Sequence, residues 1–232
     1  MGILDSTGNR TPNRGGLSFE KPTASRTDYD EYVSDPSKPV PYTDEITQWY
    51  NPAFMDKDQR FAARRPDVLV YQCDVLEKDV TIAGPITVHL VGSTSGTDCD
   101  WIVKVIDVFP ERPMARGGRF SDRRNAVLDG YQLLVRGDVL RGKLRNNMSK
   151  LEPFAPSKPT TIKYVLQDVF HTFKKGHRLM VQIQSTWFPM IDRNPGKFMN
   201  IYKAKDADFQ KTTQRVYYSP KYPSHLVVGV VQ

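Results

Sequence analysis

Cysteine is scarce in this sequence: Cys73 and Cys99 are the only two thiols in 232 residues, far apart and in no C-x-x-C spacing. Zinc binding and dithiol redox chemistry both rest on clustered thiolates, so neither is supported, and buried free thiols are expected. Long apolar runs are lacking as well. None approaches the roughly 20 residues that cross a bilayer, and the opening MGILDSTGNRTPNRGG has no apolar signal-peptide core. A soluble chain without membrane contact is the expectation, and its compartment stays open. Only four histidines occur, His89, His171, His177 and His225, without H-E-x-x-H or another close ligand spacing. No metal and no cofactor are expected, and structural histidines are the better reading. The G-x-S-x-G elbow of a serine hydrolase is missing too. Its nearest string, GSTSG at 92–96, has Thr94 at its centre and no helical pattern behind it, so it reads as a hairpin connection. SFEK at 18–21 has the bare S-x-x-K spacing without the companion motifs that give it meaning.

Turn formers and strand formers are plentiful. Seventeen prolines, fifteen glycines and 11% aromatics favour short strands joined by turns. Residues 1–66 are polar and proline-spaced, as in DYDEYVSDPSKPVPY, and read as an extended arm and linker that cannot fold alone. From residue 67 to 232 the text reads as strands: VLVYQCDVL, ITVHLVG, WIVKVIDVF, YQLLVRG, TTIKYVLQDV, HRLMVQIQS, TTQRVYYS and SHLVVGVV. In WIVKVIDVF, Trp101, Val103, Val105 and Asp107 share one face, and Ile102, Lys104, Ile106 and Val108 the other. A strand covered on both faces is implied. Strands recurring without intervening helices give an all-β fold, a jelly-roll β-sandwich with an extended N-terminal arm.

The net charge is +7, and much of it is local: ERPMARGGRFSDRRN, 111–125, holds five arginines against two acids. Without regularly spaced aromatics this run reads as a solvated loop or subunit contact, and nucleic acid is not expected as a partner. Asp98, Asp100 and Asp107 lack the glycine and bidentate glutamate of a calcium loop and read as incidental acids. The stretch HTFKKGHRLMVQIQSTWFPMIDRNP, 171–195, offers two histidines, a serine and an aspartate, the raw ingredients of a hydrolytic site. Its plain reading is two elements of the sandwich joined by a turn at Lys174–Gly176, then a structural loop fixed by Asp192, Arg193 and Asn194. A different signal comes from ITQWYNPAFMDKDQRF, 46–61. Trp49, Tyr50, Phe54, Met55 and Phe61 crowd a short linker, so these side chains need a surface to pack against.

The strings RPDVLVY, STSGTDCDWIVKVIDVFP, HTFKKGHRLMVQIQSTWFPMIDRNP and SHLVVGVV, in this order, resemble the C-terminal β domain of a serine hydrolase family. That family includes cocaine esterase, glutaryl acylase and Xaa-Pro dipeptidyl-peptidase. DYDEYVSDPSKPVPY and MDKDQRFAARRPDVL bring the likeness nearest to the α-amino acid ester hydrolases, from about Leu17 to the end. The resemblance implies a non-catalytic jelly roll that supports the pocket of an α/β-hydrolase catalytic domain in the same or a larger polypeptide. It also implies oligomer assembly, and a periplasmic or secreted parent enzyme. The Ser-Asp-His triad has no counterpart here, so whether the chain is an enzyme stays open. Trp49, Tyr50, Phe54, Met55 and Phe61 are the candidates for contact with substrate or the catalytic domain. The alternative is a stand-alone carbohydrate- or ligand-binding jelly roll.

Overall fold

The structure, a computed structural model, describes residues 2–4, 10–21, 28–111 and 128–231. The arginine-rich run lies almost wholly outside them. Two sheets face each other. The first has the order β1-β2-β4-β9-β6-β7, built from β1 (Gly2–Leu4), β2 (Arg10–Gly16), β4 (Leu69–Gln72), β6 (Asp100–Val108), β7 (Gln132–Arg141) and β9 (Arg178–Gln184). The second is organised around β5 (Val80–Thr94), which pairs along nearly its whole length with β8 (Thr160–Phe173). The other edge of β5 is shared by β13 (Val230–Val231), β12 (His225–Val227) and β10 (Thr212–Ser219). Strand β10 in turn carries β3 (Tyr29–Ser34) and β11 (Tyr222–Pro223).

Between the sheets lies one apolar core. Trp101, Val103 and Val105 of β6 and Val181 and Ile183 of β9 meet Ile82, Ile86, Val88 and Leu90 of β5 and Ile162, Leu166 and Phe173 of β8. Gly92 makes room for this packing, since a Cβ there would sit 2.6 Å from the Trp101 ring. The far side of the first sheet is covered too. Val40, Ala62 and Ala63 pack on Val70, Ile106 and Met180, while Tyr42, Phe54 and Trp187 pack around Ile102. Every residue of β6 is therefore buried, which is the two-faced strand its sequence implies.

From residue 67 onward the strands fall where the apolar runs put them, while the polar arm also contributes β1, β2 and β3 and one connection differs from the sequence reading. GSTSG is not a hairpin: β5 and β6 belong to opposite sheets, so the chain crosses the sandwich there. The Lys174–Gly176 turn joins two elements of the sandwich as read, β8 in one sheet and β9 in the other, with Gly176 at φ +90°. The closing SHLVVGVV is broken into β12 and β13, because Gly229 approaches the Ala83 carbonyl more closely than a Cβ would allow. Both cysteines are buried and free.

Candidate interdomain face and its buried supports

The linker across the first sheet is held at named points. Val40 N–H donates to Thr186 Oγ1 at 2.7 Å, and Tyr42 N–H and Phe188 N–H exchange bonds with the Phe188 and Val40 carbonyls at 2.9 Å. Next comes a 3-10 turn, Pro52–Asp56, which starts as its sequence dictates: Asn51 caps the Ala53 N–H at 3.0 Å and Pro52 occupies a position that needs no donor. The turn drives Phe54 inward. Its ring meets Trp187 edge-on at 5.8 Å, Tyr42 at 5.7 Å and Tyr50 at 5.9 Å.

The five linker candidates thus divide. Phe54 is buried, and Phe61, on the short helix α1 (Arg60–Ala63), packs partly against the Val40–Met180 cluster. Trp49, Tyr50 and Met55 keep 84%, 64% and 52% of their surfaces exposed, and Ile46 earlier in the same linker is fully exposed. Tyr50 is not loose, since it stacks on Tyr42 with centroids 6.0 Å apart, and the Tyr42 hydroxyl accepts from Asn51 N–H at 2.7 Å. Four large apolar side chains of the linker thus face water, Tyr50 among them resting on Tyr42 and Phe54.

Beneath this support lies a residue the sequence reading passed over. Lys104, in the middle of β6, is 0% exposed. Its Nζ donates to Gln59 Oε1 at 3.2 Å and lies 4.9 Å from the centre of the Trp187 ring. Among the described residues no carboxylate pairs with it, and burial lowers its amine to about 7. The signal was present: a lysine at a covered position of a two-faced strand has to be buried.

The loop after β9 is bound from below. Asn194 Nδ2 donates to Asp100 Oδ1 at 2.9 Å, Arg141 reaches Asp100 Oδ2 at 3.2 Å, and Lys143 Nζ lies 3.5 Å from Asp98 Oδ2 while donating to the Met199 carbonyl. Asp98 and Asp100 are thus not incidental acids at a turn but buried charges, each facing a cation. Burial raises both, Asp100 to about 6 despite the opposing Arg141 charge. Arg193 donates to the Pro36 carbonyl at 3.0 Å and lies over the Phe209 ring, tying this loop to the arm. Asp192 contributes its backbone carbonyl to Arg141 at 3.4 Å, and among the described residues its carboxylate forms no ion pair.

The hydrolytic ingredients of 171–195 go to other tasks. His171 Nε2 and His177 Nδ1 both bond to one buried carboxylate, Asp107, at 2.9 and 2.8 Å. Ser185 Oγ bonds to the Tyr32 hydroxyl at 2.7 Å instead of to either imidazole. His89 and His225 stack across β5 and β12 with centroids 4.7 Å apart, and His225 Nδ1 bonds to the Pro223 carbonyl. The four histidines thus contact Asp107, one another and a backbone carbonyl.

The chain is thus a two-sheet sandwich whose covering linker exposes Ile46, Trp49, Tyr50 and Met55. Comparison with known proteins places it. Residues 5–227 match the X-Pro dipeptidyl-peptidase C-terminal non-catalytic domain, and the chain belongs to that family. It is 26% identical over 229 residues to cocaine esterase of Rhodococcus sp. (strain MB1 Bresler), which covers 99% of this chain and 37% of the esterase. Among solved structures, an α-amino acid ester hydrolase is 42% identical with a TM-score of 0.86, and an aminopeptidase from a marine sediment Thaumarchaeota archaeon is 39% identical with a TM-score of 0.85. Each covers 94% of this chain, which spans only 35% of either relative.

Proposed function

We propose that this chain serves as the C-terminal supporting domain of a serine hydrolase acting on acyl esters or peptides. In this reading Ile46, Trp49, Tyr50 and Met55 dock against an α/β-hydrolase catalytic domain of the same polypeptide, at the margin of its acyl pocket. The observation that carries it is the exposed apolar set on a linker fixed by Phe54, Tyr42 and Trp187. The occupant is chosen on length and family: the relatives are nearly three times as long as this chain, and its family is the non-catalytic C-terminal domain of such enzymes. Each such side chain gains roughly 1.5 to 3 kcal/mol from full burial, ample for a specific contact. Acyl transfer itself needs an activated nucleophile with an oxyanion site, and these belong to the catalytic domain in this reading.

Two measurements test it. In a full-length relative, alanine at the position equivalent to Tyr50 should change KM or acyl preference while leaving Tm nearly intact; unchanged kinetics with lost stability would refute a pocket role. The 232-residue chain alone should leave activated esters at the background rate, and stoichiometric labelling of one of its serines by a fluorophosphonate would overturn the supporting role.

A further inference from the structure

The contacts of Lys104 continue outward without a break. Its ammonium lies over the Trp187 ring at 4.9 Å, Trp187 meets Phe54 edge-on at 5.8 Å, and Phe54 meets Tyr50 at 5.9 Å, where the chain of rings reaches solvent. Gly137, opposite Lys104 on β7, makes the slot: a Cβ there would lie 3.2 Å from Lys104 Cγ and 3.3 Å from Trp187 Cη2. A side chain at 137 would wedge the lysine stem and the indole apart.

We propose that Lys104 is a positioning residue for the docking face, its ammonium holding Trp187, and through Phe54 the Tyr50 ring, in the arrangement that a catalytic domain meets. This rests on the docking role given above and adds its regulation, since arrangement of the face and protonation of Lys104 are then linked and each biases the other. A cation attracts the indole face by roughly 0.5 to 2 kcal/mol, and a neutral amine does not. Burial brings the amine to about 7, so the change of state falls where proteins work.

The groups around Lys104 leave it to Trp187 and Gln59. Gln182 of β9 and Gly137 of β7 are its strand neighbours. On the linker, Lys57 pairs with Glu45 and Asp44, and Asp58 pairs with Arg60. On β7, Arg136 donates to the Asp168 carbonyl, while Asp138 Oδ1 accepts from Val139 N–H. None of these is ion-paired with Lys104.

The test uses the isotope-labelled 232-residue chain by itself. The Lys104 Cε resonance, the Trp187 indole N–H and the Tyr50 ring should titrate with one shared midpoint. In Lys104→Met the Trp187 and Tyr50 signals should no longer move at that midpoint, and Lys104→Arg, always charged, should hold both near their acid-state shifts. Trp101, on the opposite face of β6, serves as the control. Binding of a hydrophobic dye should change roughly two- to fivefold between pH 6 and pH 9 in the wild type, as about 0.5 to 1 kcal/mol of coupling implies, and less than twofold in Lys104→Met. A Tyr50 ring that stays still while Lys104 titrates would overturn the proposal. So would a Tyr50 shift that persists in Lys104→Met, because it would belong to another titrating group. Since no catalytic domain enters the experiment, these outcomes judge Lys104 alone. A chain that fails to bind dye at any pH would instead count against the docking face.

Discussion

Replacing Asp107 by alanine removes one acceptor shared by two imidazoles, and the loss can be worked from the geometry. The carboxylate is 2% exposed and sits on β6 of the first sheet. His171 comes from β8 of the second sheet, and His177 from the turn that leads into β9. The three side chains therefore clamp both sheets and the crossing corner at one end of the sandwich. Each bond to a charged acceptor contributes about 1.5 to 3 kcal/mol. The imidazoles keep some water access, at 24% and 14% side-chain exposure, so part of the loss is recovered by hydration. A cost of about 3 to 5 kcal/mol follows for Asp107→Ala, or a fall in Tm of roughly 10 °C for a chain of this size. Asp107→Asn should cost less, about 1 to 2 kcal/mol, because the amide oxygen still accepts and its N–H2 can donate to an imidazole in the other tautomer. Urea unfolding of both variants, with His171→Ala and His177→Ala completing double-mutant cycles, measures the coupling directly. Asp107→Ala within about 1 kcal/mol of the wild type, or couplings below about 0.5 kcal/mol, would refute the clamp.

The linker should separate into supporting and exposed positions. Phe54→Ala, which empties the space between Tyr42 and Trp187, should cost about 3 to 5 kcal/mol in denaturant unfolding, while Trp49→Ala should stay within about 0.5 kcal/mol and reduce dye binding. Stability should also follow pH in two opposite windows. Asp100 is raised from 3.8 to about 6 in the fold, so the native state holds a proton that the unfolded chain has released, and its contribution falls as pH rises through that window. Lys104 is lowered from 10.5 to about 7, so the unfolded chain holds the extra proton and stability rises from about pH 7 upward. Urea midpoints measured from pH 4 to pH 10 should lose the first slope in Asp100→Asn and the second in Lys104→Met.

Strands were legible because their signal is local. Val181 and Ile183 alternate with Gln182 and Gln184 as a strand requires, and β9 spans nearly the run that its sequence marks. Partners were not legible, because pairing is decided across the chain. Nothing in the spacing of Asp100 and Asn194, or of Asp107 and His171, says that they will meet. The same limit applies to the connections: GSTSG has the composition of a tight turn whether the next strand returns beside the last or crosses to the other sheet. The arm shows it most plainly. YDEYVS lacks the period-two apolar pattern of a strand and reads as part of the polar arm, and only the fold reveals that β10 offers it an edge.

The buried polar residues of β6 and β9 also explain why this domain keeps its linker. Lys104 and Gln182 lie side by side on the outer face of the first sheet, an arrangement that a bare sandwich leaves to water. The linker brings Gln59 over them: its side-chain oxygen accepts from Lys104 at 3.2 Å, and its backbone carbonyl accepts from Gln182 Nε2 at 3.4 Å. Val40, Phe54, Ala62 and Ala63 complete the cover with apolar contact. Buried polar groups hold a covering segment in one register, because a slip of the linker leaves an ammonium and an amide without partners, whereas apolar contact alone tolerates sliding. That register sets the start of the Pro52–Asp56 turn, which in turn sets which aromatics point inward and which remain outside. The costly lysine in the centre of β6 thus bears on the exposed face as directly as the aromatic side chains that compose it.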